Sequence, residues 1–167
     1  MTDGWRAMDA RDLDAVAAIS DAVHGVFTEP KAVFAERLAL YPAGCRVYDR
    51  CGAAAGFLVT HPWRRGAVPK LGALLGALPP ACDVYYLHDI ALLPAARGTG
   101  AGAEAVAFVR RQAMAAGCAE IALVAVAGAD SYWRAQGFDY AEPGAPGPYG
   151  AGSHRMTQRL DPGAPTR

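Results

Sequence analysis

The chain has 167 residues, with 16 lysines and arginines against 16 acidic residues, for a formal net charge of zero at pH 7. That length suits one domain able to bury a real core. Zero net charge argues against a nucleic-acid binder, which carries a basic excess.

Trp5–Met8 reads as a first strand. Asp9, with Asp12 three residues on, reads as a helix N-cap, and Leu13, Val16, Ala17, Ser20 and Val23 form a helical stripe. Gly25 breaks that helix. The loop Val26–Glu29 leads through Pro30 into a second helix, Ala32–Leu40. Arg46–Asp49 and Ala54–Thr60 read as strands joined at Arg50-Cys51-Gly52, with Pro62 stopping the second. In 63–83, Leu71, Leu74, Leu75 and Leu78 recur at helical spacing. They predict a short inserted amphipathic helix with a packing role, or else a lid or dimer contact. Val84–Leu93 is a continuous apolar run and reads as a central strand. A helix carrying Val106, Val109, Arg110 and Ala113 follows, closed by Gly117. Glu120–Val126 reads as another buried strand. Asp130 caps a short helix ending at Gly137. Phe138–Tyr140 is a brief strand, 142–153 a loop rich in glycine and proline, and His154–Leu160 closes the sheet. The tail, 161–167, reads as frayed. No repeat or second domain is visible, so 1–167 is expected to be a single domain with its core over about 4–161.

The first residues, Met-Thr-Asp-Gly-Trp, lack the apolar stretch of a secretion signal. Apolar stretches such as 119–129 are too short to span a bilayer. A cytoplasmic chain without a membrane partner is expected. Cys45, Cys51, Cys82 and Cys118 contain no Cys-x-x-Cys pair, so no metal site is expected, and the cysteines read as buried free thiols.

The most informative stretch is 87–103, Leu-His-Asp-Ile-Ala-Leu-Leu-Pro-Ala-Ala-Arg-Gly-Thr-Gly-Ala-Gly-Ala. A strand runs into a glycine loop that opens a helix. Glycines let several N–H groups converge, and the helix dipole adds positive potential, so the loop suits a phosphate or pyrophosphate. A P-loop would need a Gly-Lys-Ser/Thr ending, and the two lysines, Lys31 and Lys70, lie elsewhere. Gly98-x-Gly100-x-x-Ala103 meets the relaxed dinucleotide fingerprint, with Glu120 at about the right distance. But Glu120 precedes the next apolar run, whereas the ribose-binding acid should follow that strand.

Arg97-x-x-Gly100-x-Gly102 after Leu92-Leu93-Pro94 resembles the acyl-CoA loop of the GNAT superfamily of N-acetyltransferases. Tyr86-Leu87-His88-Asp89 upstream and Tyr132-Trp133-Arg134-Ala135-Gln136-Gly137-Phe138 downstream resemble it too, in the same order, so the likeness spans roughly 84–140. The resemblance implies an α/β (α+β) fold. Its mixed, mostly antiparallel sheet of six or seven strands would be flanked by about four to five helices, with a V-shaped splay between two central parallel strands. It implies acetyl-CoA as co-substrate, held by Arg97, Gly98, Thr99, Gly100, Ala101, Gly102 and Ala103. Ala91, Leu92 and Leu93 would lie beside the pantetheine arm, and a backbone N–H near Leu92 would meet the oxyanion. Tyr86-x-His88 resembles the strand of aralkylamine N-acetyltransferases and makes His88 the candidate base. Asp89 points to the opposite face and would pair with an arginine.

The family's usual acid is a tyrosine four residues before the Gly-Phe glycine. Here that position is Trp133, expected near the thioester, and the candidate acid is Tyr132, about 100° round the helix. Phe27, Glu29, Trp63 and Tyr86 are the candidate acceptor residues, with Glu29 as the carboxylate for a cationic amine. The expected activity is acetyl transfer to a primary amine of a small molecule, directly in a ternary complex. A non-catalytic acyl-CoA-binding regulator, an NAD(P)-dependent oxidoreductase and a homodimer stay as alternatives or additions.

Overall fold

The computed structural model describes residues 2–161, so 162–167 of the expected tail lie outside the described residues. The strands are β1 (Gly4–Ala7), β2 (Cys45–Arg50), β3 (Ala53–Trp63), β4 (Val84–Leu92), β5 (Glu120–Ala125), β6 (Asp139–Tyr140) and β7 (His154–Arg159). The α-helices are α1 (Leu13–His24), α2 (Lys31–Leu40), α3 (Ala101–Ala115) and α4 (Asp130–Ala135). Among the described residues the strands form one seven-stranded sheet in the order β1-β2-β3-β4-β5-β7-β6. The sheet is mixed and mostly antiparallel. Its one parallel pair joins β4 to β5 through Tyr85↔Ile121 and Tyr86↔Ala122.

The chain divides into two compact units. One comprises Met1–His61, Pro69–Leu78 and Leu87–Val109; the other comprises Pro62–Val68, Pro79–Tyr86 and Arg110–Arg167. In the first, Asp9 and Asp12 form a capping box ahead of α1, satisfying N–H groups that the helix cannot. Gly25 ends α1 with φ +54°. The β2–β3 hairpin has a two-residue loop, Cys51 and Gly52, both left-handed (φ +52° and +80°). That geometry matches the right-handed twist of paired strands. Val16 and Ile19 of α1 and Phe34 of α2 are buried against Val47, Phe57, Val59 and Ala91 of the strands. Each such side chain contributes about 1.5–3 kcal/mol on burial.

In the second unit β7 pairs with β5 over six residues and with β6 over two. Trp133 and Phe138 stack edge to face, with ring centroids 5.4 Å apart. Val84, Tyr86 and Ala122 form a buried cluster against Trp63.

The structure departs from the sequence reading at four places. β3 runs through Pro62 to Trp63; a proline removes one ladder donor without ending a strand. No helix forms in 64–83. Gly66, Gly72 and Gly76 adopt positive φ. Carboxylates of the α1–α2 region take N–H groups that a helix would have used: Glu29 accepts from Gly72, and Glu36 from Leu75 and Gly76. Asp130 does not cap α4. The cap residue is Ala129, and the Asp130 carboxylate accepts from the Tyr140 hydroxyl at 2.5 Å. The cysteines are not four buried thiols either. Cys82 and Cys118 form a disulfide, Cα atoms 5.7 Å apart, Cys45 is a buried thiol and Cys51 an exposed one. Cys82 shortly precedes β4 and Cys118 shortly precedes β5, so two parallel neighbours bring together residues 36 apart in sequence.

Candidate active site

The glycine loop begins where β4 ends. Leu93 N–H donates to Ala55 O at 2.8 Å on β3. Successive residues of an extended chain direct their backbone groups to opposite edges, so the N–H and C=O of Leu92 face the other way. The Leu92 carbonyl accepts from Arg97 Nε at 3.2 Å, while the Arg97 side chain stays at an exposed position. A short turn over Pro94–Ala96 follows, then Gly98 and Gly100 with φ +74° and +88°. Non-glycine residues pay roughly 1–2 kcal/mol for that conformation. Thr99 braces the loop. Its hydroxyl donates to Ala96 O at 2.6 Å and accepts from Ala101 N–H at 3.3 Å and from the Tyr48 hydroxyl at 3.2 Å. Trp5 Nε1–H holds the Ala101 carbonyl at 2.9 Å, and Ala101 itself is buried. Gly98, Gly100 and Ala103 are exposed and Gly102 half-buried. The loop thus gathers backbone N–H groups at the N-terminus of a 15-residue helix, the arrangement that suits an anion.

His88 lies in the same unit. Its Nε2 is 2.6 Å from Glu29 Oε1, and the two side chains are only 2% and 6% exposed. The other carboxylate oxygen accepts from Gly72 N–H at 2.9 Å. Both oxygens of Glu29 are therefore engaged within the chain. Burial pushes the Glu29 carboxyl up. The hydrogen bond and charge of His88, the Gly72 N–H and the charge of Arg37 outweigh it, so the group sits below its ordinary value. Asp89 pairs not with an arginine but with His24, Nε2 to Oδ1 at 2.6 Å. Burial pushes His24 down, yet the Asp89 hydrogen bond and the charges of Asp89 and Glu29 carry it above its usual range.

Among the other expected residues, Phe27 is half-buried in a short turn beside exposed Val26. Ala91 is buried, and Leu92 and Leu93 are half-buried. Trp63, Tyr86, Tyr132 and Trp133 belong to the second unit. Tyr86 is 2% and Trp133 5% exposed. Tyr132 is 41% exposed, and partial burial pushes its hydroxyl above its ordinary value. That unit also holds a cavity of about 280 Å³ lined by Tyr140, Glu142, His154 and Arg155, among others. Sequence reasoning missed it, because the lining comes from a loop with no regular spacing. Two of the lining groups, Arg155 and Glu142, pair with each other at 2.7 Å, and His154 lies 3.7 Å from Asp130, which is not part of the lining.

Residues 16–138 match the sequence profile of the Acetyltransferase (GNAT) family. No curated protein is similar enough in sequence to count as a relative. Solved structures of the same fold include Ard1 from Thermoplasma volcanium, at 13% identity and a TM-score of 0.72, covering 96% of this chain and 99% of that one. The ribosomal-protein-S18-alanine N-acetyltransferase from Escherichia coli is 18% identical with a TM-score of 0.66, over 98% and 97%. The GphF GNAT-like decarboxylase in complex with isobutyryl-CoA is 20% identical with a TM-score of 0.71, over 94% and 99%.

Proposed function

The chain belongs to the GNAT acetyltransferase family, and on that premise we propose that it is an acetyl-CoA-dependent N-acetyltransferase acting on a primary amine of a small molecule. Residues 1–167 would serve as one catalytic domain, in the cytoplasm. The observation that carries the reading is the loop after β4, left-handed at Gly98 and Gly100 and opening α3. The N–H groups of Gly98, Gly100, Gly102 and Ala103 would meet the pyrophosphate, with the Arg97 guanidinium beside them. The pantetheine arm would run along Ala91, Leu92 and Leu93. The Leu92 N–H, directed away from β3, would meet the carbonyl oxygen as it becomes an oxyanion, a fixed donor that need not reorganise.

In the reaction the amine nitrogen attacks the thioester carbon, the C–S bond breaks and the CoA thiolate leaves. The amine must first lose a proton, since an alkylamine with a pKa of about 10.4 is almost wholly charged at neutral pH. His88 is the base in this reading. A thiol pKa of about 8.5 lets the thiolate leave without a dedicated acid, so Tyr132 is not essential. The test is thiol release from acetyl-CoA across an amine panel. At least one small amine should give turnover, and His88→Ala should lower it about 10²–10⁴-fold with acetyl-CoA affinity unchanged.

One observation favours a second reading. Trp133 stands where an acid is expected and is buried between Tyr132 and Phe138. A non-catalytic acyl-CoA-binding protein would bind acetyl-CoA equally well and release no thiol with any amine.

A further inference from the structure

We propose that Glu29 is a positioning residue that holds His88 in the tautomer with the proton on Nε2. The inference rests on His88 being the base, and it replaces the role of Glu29 as an anchor for a cationic amine.

The hydrogen-bond arithmetic carries it. The Nε2–Oε1 contact of 2.6 Å has a side chain only 2% exposed on one side and 6% on the other, so water does not compete for it. An ionised carboxylate only accepts hydrogen bonds. The surroundings favour the ionised form of Glu29, because the Gly72 N–H donates to its second oxygen and the charge of Arg37 acts on it. The one hydrogen between the two side chains must then sit on His88 Nε2. A carboxylate bound to one ring nitrogen fixes the tautomer and the aim of the ring, and it stabilises the imidazolium formed when the other nitrogen takes a proton.

The local backbone maintains the arrangement. Glu29 directly precedes Pro30, whose ψ of 153° leads into α2. Gly72 has φ +76°, a conformation that presents its N–H to Glu29 and that a side chain would disfavour. The other titratable groups facing the pair are Arg37 from α2, His24 at the end of α1 with its partner Asp89, and His61 from β3. The His61 ring lies 6.3 Å from that of His88. The 69–78 segment contributes a backbone donor to Glu29, the Gly72 N–H.

The experiment has two arms. Long-range ¹H–¹⁵N NMR on ¹⁵N-histidine protein, with His88 assigned by comparison with His88→Ala, reports the tautomer whether or not any amine is acetylated. The wild type should show Nε2–H. Glu29→Gln offers both an acceptor and a donor, so the tautomer should become mixed or reverse. Glu29→Asp should keep Nε2–H. A wild-type ring protonated on Nδ1 alone, or a tautomer indifferent to Glu29→Gln, overturns the proposal.

The second arm is kinetic, using the best amine of the panel. Glu29→Gln should lower kcat about 10- to 100-fold, the scale seen when the orienting partner of a functional histidine is lost. Amine KM and acetyl-CoA Kd should stay within about twofold, and Glu29→Asp should restore part of the rate. A raised amine KM with kcat intact would make Glu29 an amine anchor and refute the positioning role. If no amine turns over, the acetyltransferase reading fails, and the NMR arm still decides whether Glu29 sets the tautomer.

Discussion

Replacing Gly100 by valine separates the pyrophosphate role proposed for the loop from its structural role. Gly100 has φ +88°, and a Cβ built there meets nothing within 4 Å. The substitution therefore causes no clash within the described protein; its intrinsic cost is backbone strain, roughly 1–2 kcal/mol. For a domain of this size 1 kcal/mol moves Tm by about 2–4 °C, so the melt should fall by less than about 10 °C. The ligand loses more. The branched side chain projects into the open space that the pyrophosphate needs, and relaxing the strain turns the neighbouring N–H groups away. A hydrogen bond to a charged group contributes about 1.5–3 kcal/mol. Losing two costs about 3–6 kcal/mol, or roughly 10²–10⁴-fold in affinity at 1.36 kcal/mol per decade. Calorimetry with acetyl-CoA reads this directly, and acetyl-pantetheine, which lacks the pyrophosphate, serves as control. Its weaker binding should barely change. Wild-type acetyl-CoA affinity in Gly100→Val, alongside the expected loss in Tm, would refute the assignment of this loop to the pyrophosphate.

Three further outcomes are expected. Mass spectrometry after mixing with acetyl-CoA alone should show no stoichiometric acetyl-enzyme, since burial pushes the Cys45 thiol up to about 12 and Cys82 and Cys118 are bonded to each other; an adduct on Cys51 would contradict direct transfer. The His24–Asp89 pair raises His24 in the folded state, so its stabilisation is full below the unfolded value of about 6.5 and fades as pH rises through the folded value. The Tm gap between wild type and His24→Ala should then be wider at about pH 5.5 than at about pH 8.5, and an equal gap would count against the pair. Glu36→Gln weakens the carboxylate that accepts from Leu75 N–H at 2.6 Å and Gly76 N–H at 2.9 Å. Amide exchange at those two positions should quicken by about tenfold while acetyl-CoA affinity holds, and unchanged exchange would show that other contacts fix the segment.

What was legible in the sequence is what neighbouring residues determine together. Asp9 and Asp12 close a capping box three residues apart. Cys51-Gly52 makes a two-residue hairpin, and the glycines at 98 and 100 take left-handed backbone between β4 and α3. The failures are where distant groups decide. Leu71, Leu74, Leu75 and Leu78 have helical spacing, yet Glu29 and Glu36, some 39–43 residues earlier, capture the N–H groups instead. The Cys82–Cys118 bond depends on two parallel strands being neighbours, which cysteine spacing does not encode.

The candidate base shows the same division. Alternation along β4 put His88 and Asp89 on opposite faces, and that much followed from the strand alone. Their partners did not, because Glu29 and His24 lie 59 and 65 residues away. Those partners flank one connection, the residues from the end of α1 to Pro30. That connection is consequently tied at both ends to consecutive residues of β4, one histidine coming from each side. Neither tie is interchangeable with the other. His24 is carried above its usual range by Asp89 and contributes most at low pH, whereas Glu29 is held below its ordinary value and contributes until the pH falls far enough to protonate it. The two ties overlap across mildly acidic pH, so His88 keeps its orienting partner even where His24 has lost its charge.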